Sequence, residues 1–358
     1  MVLTTSLRAR AERLLADMPS AEPGDEVILR PVACGVEATL RRDGAAPRVF
    51  AATDEGALER HPADDTGLPG ASLLTNAAAL RALLEPTIGA ITATRLVAWR
   101  PSRRAVVRID TAAGHTHWLK LLDERGHRRS KRTFAALGRV LSPMRLAVPK
   151  HCFDDHCAHL AANAPGTSLR AMLAAGEAPI TAIARGAAAL AYTEVGDTLP
   201  TIDFARARAQ AVDLLTKASA MRSDLAELGA AIGRLPEPEP PARRGFVHGD
   251  LHDKQMFVAN GETCVIDLEG AGVGDSRFDV ANLAEHVRLR ELQRRDTDSG
   301  LGDVVVARCG LLPDAAATRL FRAVVRARLC GVYALRPRWA ALVDRLCTET
   351  RTLMEPFA

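Results

Sequence analysis

Between residues 91 and 161 apolar and polar side chains alternate in short runs, RLVAWRP, RRAVVRID and THWLKLL with a turn at Gly114, and beyond Pro165 and Gly166 the pattern becomes helical and alanine-rich. A period of two sends neighbouring side chains to opposite faces of a strand, whereas a period of 3.6 draws an apolar stripe along a helix. A chain carrying the two patterns in succession builds an antiparallel meander first and a helical body second, with Pro165 and Gly166 as the hinge. With 358 residues, 47% of them apolar, it has side chains enough for more than one core.

Ahead of the meander, residues 1–90 carry an amphipathic helix and then strand-like VILRPV, EATLRR and PRVFAA between Gly and Asp turn signals. The polar stretch DDTGLPG at 64–70 reads as a loop separating this small cap from the helix LLTNAAALRALLEP. The expected division is therefore 1–90 as an N-terminal extension, 91–161 as the sheet-rich lobe and 162–358 as the helical lobe. A net charge of +4, with acids interspersed among arginines, implies no nucleic-acid partner. The first apolar stretch contains arginines and an aspartate, so neither a signal peptide nor a membrane span is expected, and the reading is a cytoplasmic protein. Seven cysteines without regular spacing, Cys34 among them, read as reduced thiols. In HCFDDHCAH the ligand candidates sit on two strands around an Asp154-Asp155 turn, where alternation sends neighbours to opposite faces and argues against zinc.

The chemistry concentrates later. The proline-rich PEPEPPARRG cannot continue a helix, so it delivers the chain extended into HGDLHDKQ at 248–255. Then QMFVANGETCVID makes a hairpin turning at Asn260-Gly261, which brings Gln255 close to Asp267. An aspartate set to receive a hydroxyl proton, Asp250, followed a hairpin later by one suited to magnesium, Asp267, is the pattern of a phosphoryl-transfer centre. Lys120, one of only five lysines, lies inside an apolar strand; it either contacts phosphate or snorkels from an edge strand to water. Pro101, Ser102, Arg103 and Arg104 form a basic turn without glycine. If that turn covers a nucleotide, its phosphate contacts come from Ser102 or Arg104; otherwise it is a solvated turn. The helix expected over 126–141 contains no acid, which leaves Glu124 or Asp123, directly after the strand, as the nearby substitutes to pair with Lys120, Glu124 being preferred.

Taken together, HGDLHDKQ and VIDLEGAGVGDSRFDVANLAEH resemble the aminoglycoside phosphotransferase and choline kinase superfamily over roughly residues 95–290. That resemblance implies an α+β, bilobal protein-kinase-like fold with a small antiparallel-sheet N-lobe and a larger helical C-lobe, here with an N-terminal α/β extension. It implies ATP and magnesium as cofactors and a small hydroxylated acceptor: a sugar, amino sugar or similar metabolite. By the same resemblance Asp250 is the catalytic aspartate and Asp267 a magnesium ligand. Gln255 stands where the family has a second, asparagine ligand, and Lys120 is the nucleotide lysine. His248 is expected to fix the loop, and Asp279 to cap the helix that follows. The glycine-free turn, the missing helix glutamate and the glutamine keep open an alternative, a catalytically weak nucleotide-binding regulator of the same fold. A protein kinase is disfavoured, because no APE-ended activation segment follows Asp267.

Overall fold

The computed structural model describes residues 2–19, 22, 25–32, 35–53, 56–138, 145–194, 199–295 and 297–357. In chain order its elements are α1 (Val2–Asp17), β1 (Glu26–Val32), β2 (Gly35–Arg41), β3 (Arg48–Thr53), β4 (Gly56–Arg60), α2 (Ala77–Ile88), β5 (Ile91–Arg100), β6 (Arg104–Thr111), β7 (Thr116–Leu122) and α3 (Glu124–Leu137). Then come β8 (Arg145–Leu146), β9 (His151–Phe153), β10 (Ala158–Ala162), β11 (Thr167–Ser168), α4 (Leu169–Ala175), α5 (Ile180–Tyr192), β12 (Thr201–Ile202), α6 (Phe204–Ala218) and α7 (Asp224–Gly233). The chain ends with β13 (Gly245–Val247), β14 (Met256–Ala259), β15 (Glu262–Val265), β16 (Gly272–Gly274), α8 (Arg277–Arg295), α9 (Leu301–Arg308), α10 (Ala316–Ala334) and α11 (Ala340–Met354). Cys34 and the last residues of the helix expected over 126–141 lie outside the described residues.

Two compact units result: one is Met1–Lys131 with Val148–Asn163 and Leu335–Arg338, the other Arg132–Ala147 with Ala164–Ala334 and Trp339–Ala358. The first contains both the expected N-terminal extension and the meander. Its larger sheet has the order β5-β6-β7-β10-β9, antiparallel throughout. Trp99, Ala105, Val107, Ile109, Leu119, Leu121 and Leu160 point to one face and are buried with Leu80 and Leu84 of α2 and with Leu68 and Leu73. The period of two then assigns Arg104, Val106, Trp118 and Lys120 to the other face, where Val106 and Lys120 are paired. A second sheet, β1-β2-β3-β4, is also antiparallel. Leu29, Val36, Ala38 and Leu40 are buried on one of its faces, while Arg30 pairs with Glu37 and Glu26 with Arg41 on the other.

The second unit is mainly helical. Phe204 of α6 meets Phe321 of α10 edge to face, with centroids 5.2 Å apart, in a core joined by Phe278 of α8. Within the stretch beyond Gly166 that reads as helical, residues 204–233 form two helices, α6, capped by the Asp203 carboxylate on the Arg206 amide at 2.8 Å, and α7. At the break, the Ser219 hydroxyl donates to the Thr216 carbonyl at 2.7 Å, and local bonding of this kind competes with helix continuation. No described helix is long and apolar enough to cross a membrane.

Between α8 and α10 lies a buried ion network. Glu285 is 1% exposed and accepts from Arg322 Nε at 2.7 Å and from Arg326 Nε and Nη2 at 2.8 and 2.9 Å. Burial by itself would raise this carboxyl, but Arg326 and Arg322 outweigh it and bring it to about 2. The folded value is the lower one, so the stabilisation is complete above about pH 4.5 and is lost as the pH falls toward 2. Glu285→Gln, which removes the buried charge that Arg322 and Arg326 share, is expected to lower unfolding free energy by about 3–5 kcal/mol. Denaturant titration at pH 7 measures it, and a loss below 1 kcal/mol (roughly what an exposed pair contributes) would contradict the network's role.

Candidate active site

The segment around Asp250 leaves β13 through a turn in which Gly249 has φ +82°, a conformation that favours glycine. Both amides before Asp250 are gripped by one side chain: the Asp279 carboxylate accepts the His248 N–H at 2.6 Å and the Gly249 N–H at 3.0 Å. This corrects the expected role of Asp279. It lies inside the first turn of α8, where it anchors a remote loop, and the residue accepting the Arg277 amide at the helix start is Asp275, at 3.0 Å. Burial drives the Asp279 carboxyl up to about 6 against the opposing influence of His248 and the two amides. His248 is fully buried and fixes the loop, as expected: Nε2 lies 2.8 Å from the Ile266 carbonyl, and Nδ1 accepts the Asp250 amide at 3.3 Å.

Asp250 itself is half-exposed, and its Oδ1 accepts from Arg328 Nη2 at 2.9 Å. The same nitrogen donates to Asn282 Oδ1 at 2.8 Å, and Asn282 Nδ2 donates to the Leu251 carbonyl at 2.7 Å. Below it, Asp253 is fully buried and takes Arg290 Nε at 2.6 Å and Nη2 at 3.2 Å. Burial alone would raise the Asp253 carboxyl, but His252 and Arg290 hold it well below the usual range. His252 stacks on His286 with ring centroids 4.7 Å apart. None of Arg328, Asn282, Arg290 and His286 was legible as a site residue, because they come from α8 and α10, far along the chain. A half-exposed carboxylate with one oxygen tied to a guanidinium and the other 3.9 Å from His252 Nε2 can receive a proton from a hydroxyl.

The hairpin places Gln255 beside Asp267. Strands β14 and β15 pair Met256 with Val265, and Asn260 and Gly261 carry φ of 51° and 78° at the turn. The Ile266 amide donates to the Gln255 carbonyl at 3.0 Å, and Gln255 Nε2 donates to Asp267 Oδ2 at 3.3 Å. Asp267 is left-handed, φ 65°, a conformation that costs a non-glycine residue about 1 kcal/mol or more. Gln255 is 5% exposed, and its Oε1 is buried with no hydrogen-bond partner. A buried carbonyl oxygen without a donor, next to a carboxylate, is the donor set a hard divalent cation takes. The residues present therefore fit a magnesium ion.

In the first unit, Lys120 is half-buried on the polar face of the β5-β6-β7 sheet, opposite Val106 and, on the next strand, His159. Arg104 shares that face. Glu124 opens α3 and reaches the exposed Arg128 at 3.3 Å. Ser102 sits at the tip of the β5-β6 turn with φ 55°, and its amide donates to the carboxylate of Asp65 at 2.9 and 3.0 Å, its hydroxyl at 3.3 Å. Asp65 is 2% exposed and also accepts the Trp99 indole N–H at 2.8 Å and the Gly67 amide at 3.3 Å. Approach is so close that a Cβ on Gly67 would lie 2.5 Å from that of Ser102. The stretch read as a separating loop is thus the anchor of the glycine-free turn. Asp65→Ala, which orphans the buried Trp99 indole, is expected to cost about 1–3 kcal/mol, measured by chemical denaturation. An unchanged midpoint would mean that water replaces the carboxylate.

Compared with known proteins, residues 36–321 match the model of the phosphotransferase enzyme family. A curated methylthioribose kinase from Bacillus cereus is 36% identical over 59 residues, a match covering 16% of this chain and spanning only 15% of that relative's length. Among solved structures, an aminoglycoside phosphotransferase from Streptomyces rimosus superposes with a TM-score of 0.50 at 16% identity, over 71% of this chain and 98% of the other. At that identity the likeness speaks for the fold.

Proposed function

We infer that this chain, which belongs to the phosphotransferase enzyme family, transfers the γ-phosphoryl group of ATP to a hydroxyl of a small molecule. What supports this reading is that, within the helical unit, the loop carrying the half-exposed Asp250 is hydrogen-bonded to the hairpin that sets Gln255 beside Asp267. Asp250 Oδ2 receives the proton of the acceptor hydroxyl while Arg328 holds Oδ1, so the carboxylate keeps one orientation. The acceptor oxygen forms a bond to the γ-phosphorus as the bond to the bridging oxygen breaks, and ADP leaves. Gln255 Oε1 and the Asp267 carboxylate would hold magnesium, which when bound neutralises phosphate charge. Lys120 meets the phosphates, with Arg104 on the same sheet face. Ser102, its hydroxyl committed to Asp65, serves the nucleotide by shaping the turn.

For the acceptor, the acids at 285–303 are informative. Glu285 is closed off by Arg322 and Arg326, Asp298 is bound by Arg288, and Asp303 by Arg322 at 2.6 Å. Among the described residues these three carboxylates are already engaged by arginines, which favours a neutral sugar, an amino sugar or a similar metabolite over a polycation. Asp250→Asn is expected to reduce transfer by about 10²–10⁴-fold in a coupled assay against sugars and amino alcohols, with the melting temperature kept. Gln255→Asn withdraws the free amide oxygen, and the magnesium concentration giving half-maximal rate is expected to rise. If the wild-type chain binds ATP yet transfers to no acceptor class, the regulatory alternative takes this reading's place.

A further inference from the structure

Along α8 the side chains of Asp279, Asn282, His286 and Arg290, three or four residues apart, form one stripe beside the 248–253 loop. Three of them hydrogen-bond to it: Asp279 to the His248 and Gly249 amides, Asn282 to the Leu251 carbonyl and Arg290 to the Asp253 carboxylate. His286 is the exception. It is only 8% exposed, yet neither of its buried ring nitrogens has a hydrogen-bond partner. A buried polar group in that position calls for an explanation, and for an imidazole a metal is one. His286 Nδ1 lies 3.8 Å from Asp253 Oδ1, and His252, whose ring stacks on His286 with centroids 4.7 Å apart, brings its Nδ1 to 3.6 Å from the same oxygen. One donor atom from each of the three residues lies within 4.8 Å of the other two.

Zinc held tetrahedrally at about 2.0–2.2 Å sets its donors roughly 3.4 Å apart, so both oxygen–nitrogen separations are near their ligated values and the imidazoles close by ring rotation. His252 stands on the loop and exchanges the Lys254 amide, which its Nδ1 accepts at 3.1 Å, for the metal. Asp253 keeps Arg290 as a further partner, as ligating carboxylates commonly do. Burial, followed by the charge of His252, holds the His286 ring well below its usual range, so it is neutral, the form that ligates. Two imidazoles and a carboxylate suit zinc and its neighbours in the first transition row, whereas the oxygens of Gln255 and Asp267 suit magnesium. We propose that His252, Asp253 and His286 form a second cation site, for a zinc-class divalent metal, which ties the 248–255 loop to α8. Three protein ligands leave the fourth position to water. The site goes beyond the kinase reading and does not depend on it.

The test is titration of the chelator-treated full-length chain with cobalt(II), a coloured stand-in for zinc, run with and without excess magnesium and followed by displacement with zinc. Cobalt is expected to show the visible bands of tetrahedral nitrogen and oxygen ligation without the near-ultraviolet band of thiolates, and zinc to raise the melting temperature. His286→Gln and His252→Gln are each expected to weaken cobalt binding about tenfold or more and to abolish the zinc-dependent rise in melting temperature. Cys152→Ser, at the pair in which Cys152 Sγ lies 3.2 Å from His159 Nδ1, should bind cobalt as the parent does. No binding by the parent overturns the proposal without reference to any variant. A thiolate band, or binding that magnesium displaces and that therefore belongs to Gln255 and Asp267, overturns it as well. So does undiminished binding by folded His286→Gln and His252→Gln. Asp250→Asn should bind cobalt as the parent does, so a failed transfer screen beside intact metal binding removes the kinase reading alone, and phosphoryl transfer beside no metal binding removes this site alone.

Discussion

The buried carboxylate of Asp279 takes the amide hydrogens of His248 and Gly249, and the course of residues 248–255 follows from that contact. Two amides in sequence can be bonded by one carboxylate only if the backbone turns sharply, and Gly249 supplies the turn. Its position in the first turn of α8 also sets the negative charge against the positive end of the helix. From this point His248 reaches across to the Ile266 carbonyl, which ties the loop to the residue just before Asp267. The loop and the hairpin are therefore set relative to each other by buried hydrogen bonds.

Helix α10 adds a second constraint through its register. Arg322 and Arg326, one turn apart, share Glu285 in the interior, whereas Arg328, two positions further on, points to Asp250 and Asn282. A helix cannot rotate to improve one of these sets without breaking the other. The buried network thus also fixes the direction from which a guanidinium meets the half-exposed carboxylate, which is how packing energy becomes orientation at a reactive group.

In the first unit the alternation of β5, β6 and β7 separates an apolar face buried on α2 from a face carrying Arg104 and Lys120. Cations are tolerated there because the face opposite them carries the packing. Asp65, buried yet bonded by the indole N–H of Trp99, the amides of Ser102 and Gly67 and the Ser102 hydroxyl, makes the hairpin turn rigid by donor satisfaction rather than by glycine flexibility.

What the sequence determined by itself was local in origin. Period-two alternation marked the meander, the Asn260-Gly261 pair marked the hairpin, and the spacing across that hairpin brought Gln255 to Asp267, because each depends on residues near one another in the chain. Helix boundaries were less legible: the helical pattern beyond Gly166 gave no mark of the break between α6 and α7, where the Ser219 hydroxyl bonds the Thr216 carbonyl. Arg328 on Asp250, Asp279 on the loop amides and Asp65 on the hairpin turn were decided only by tertiary structure. Each joins residues some 30 to 80 positions apart, and a charged side chain in a sequence carries no mark of which distant polar group its burial will oblige it to satisfy.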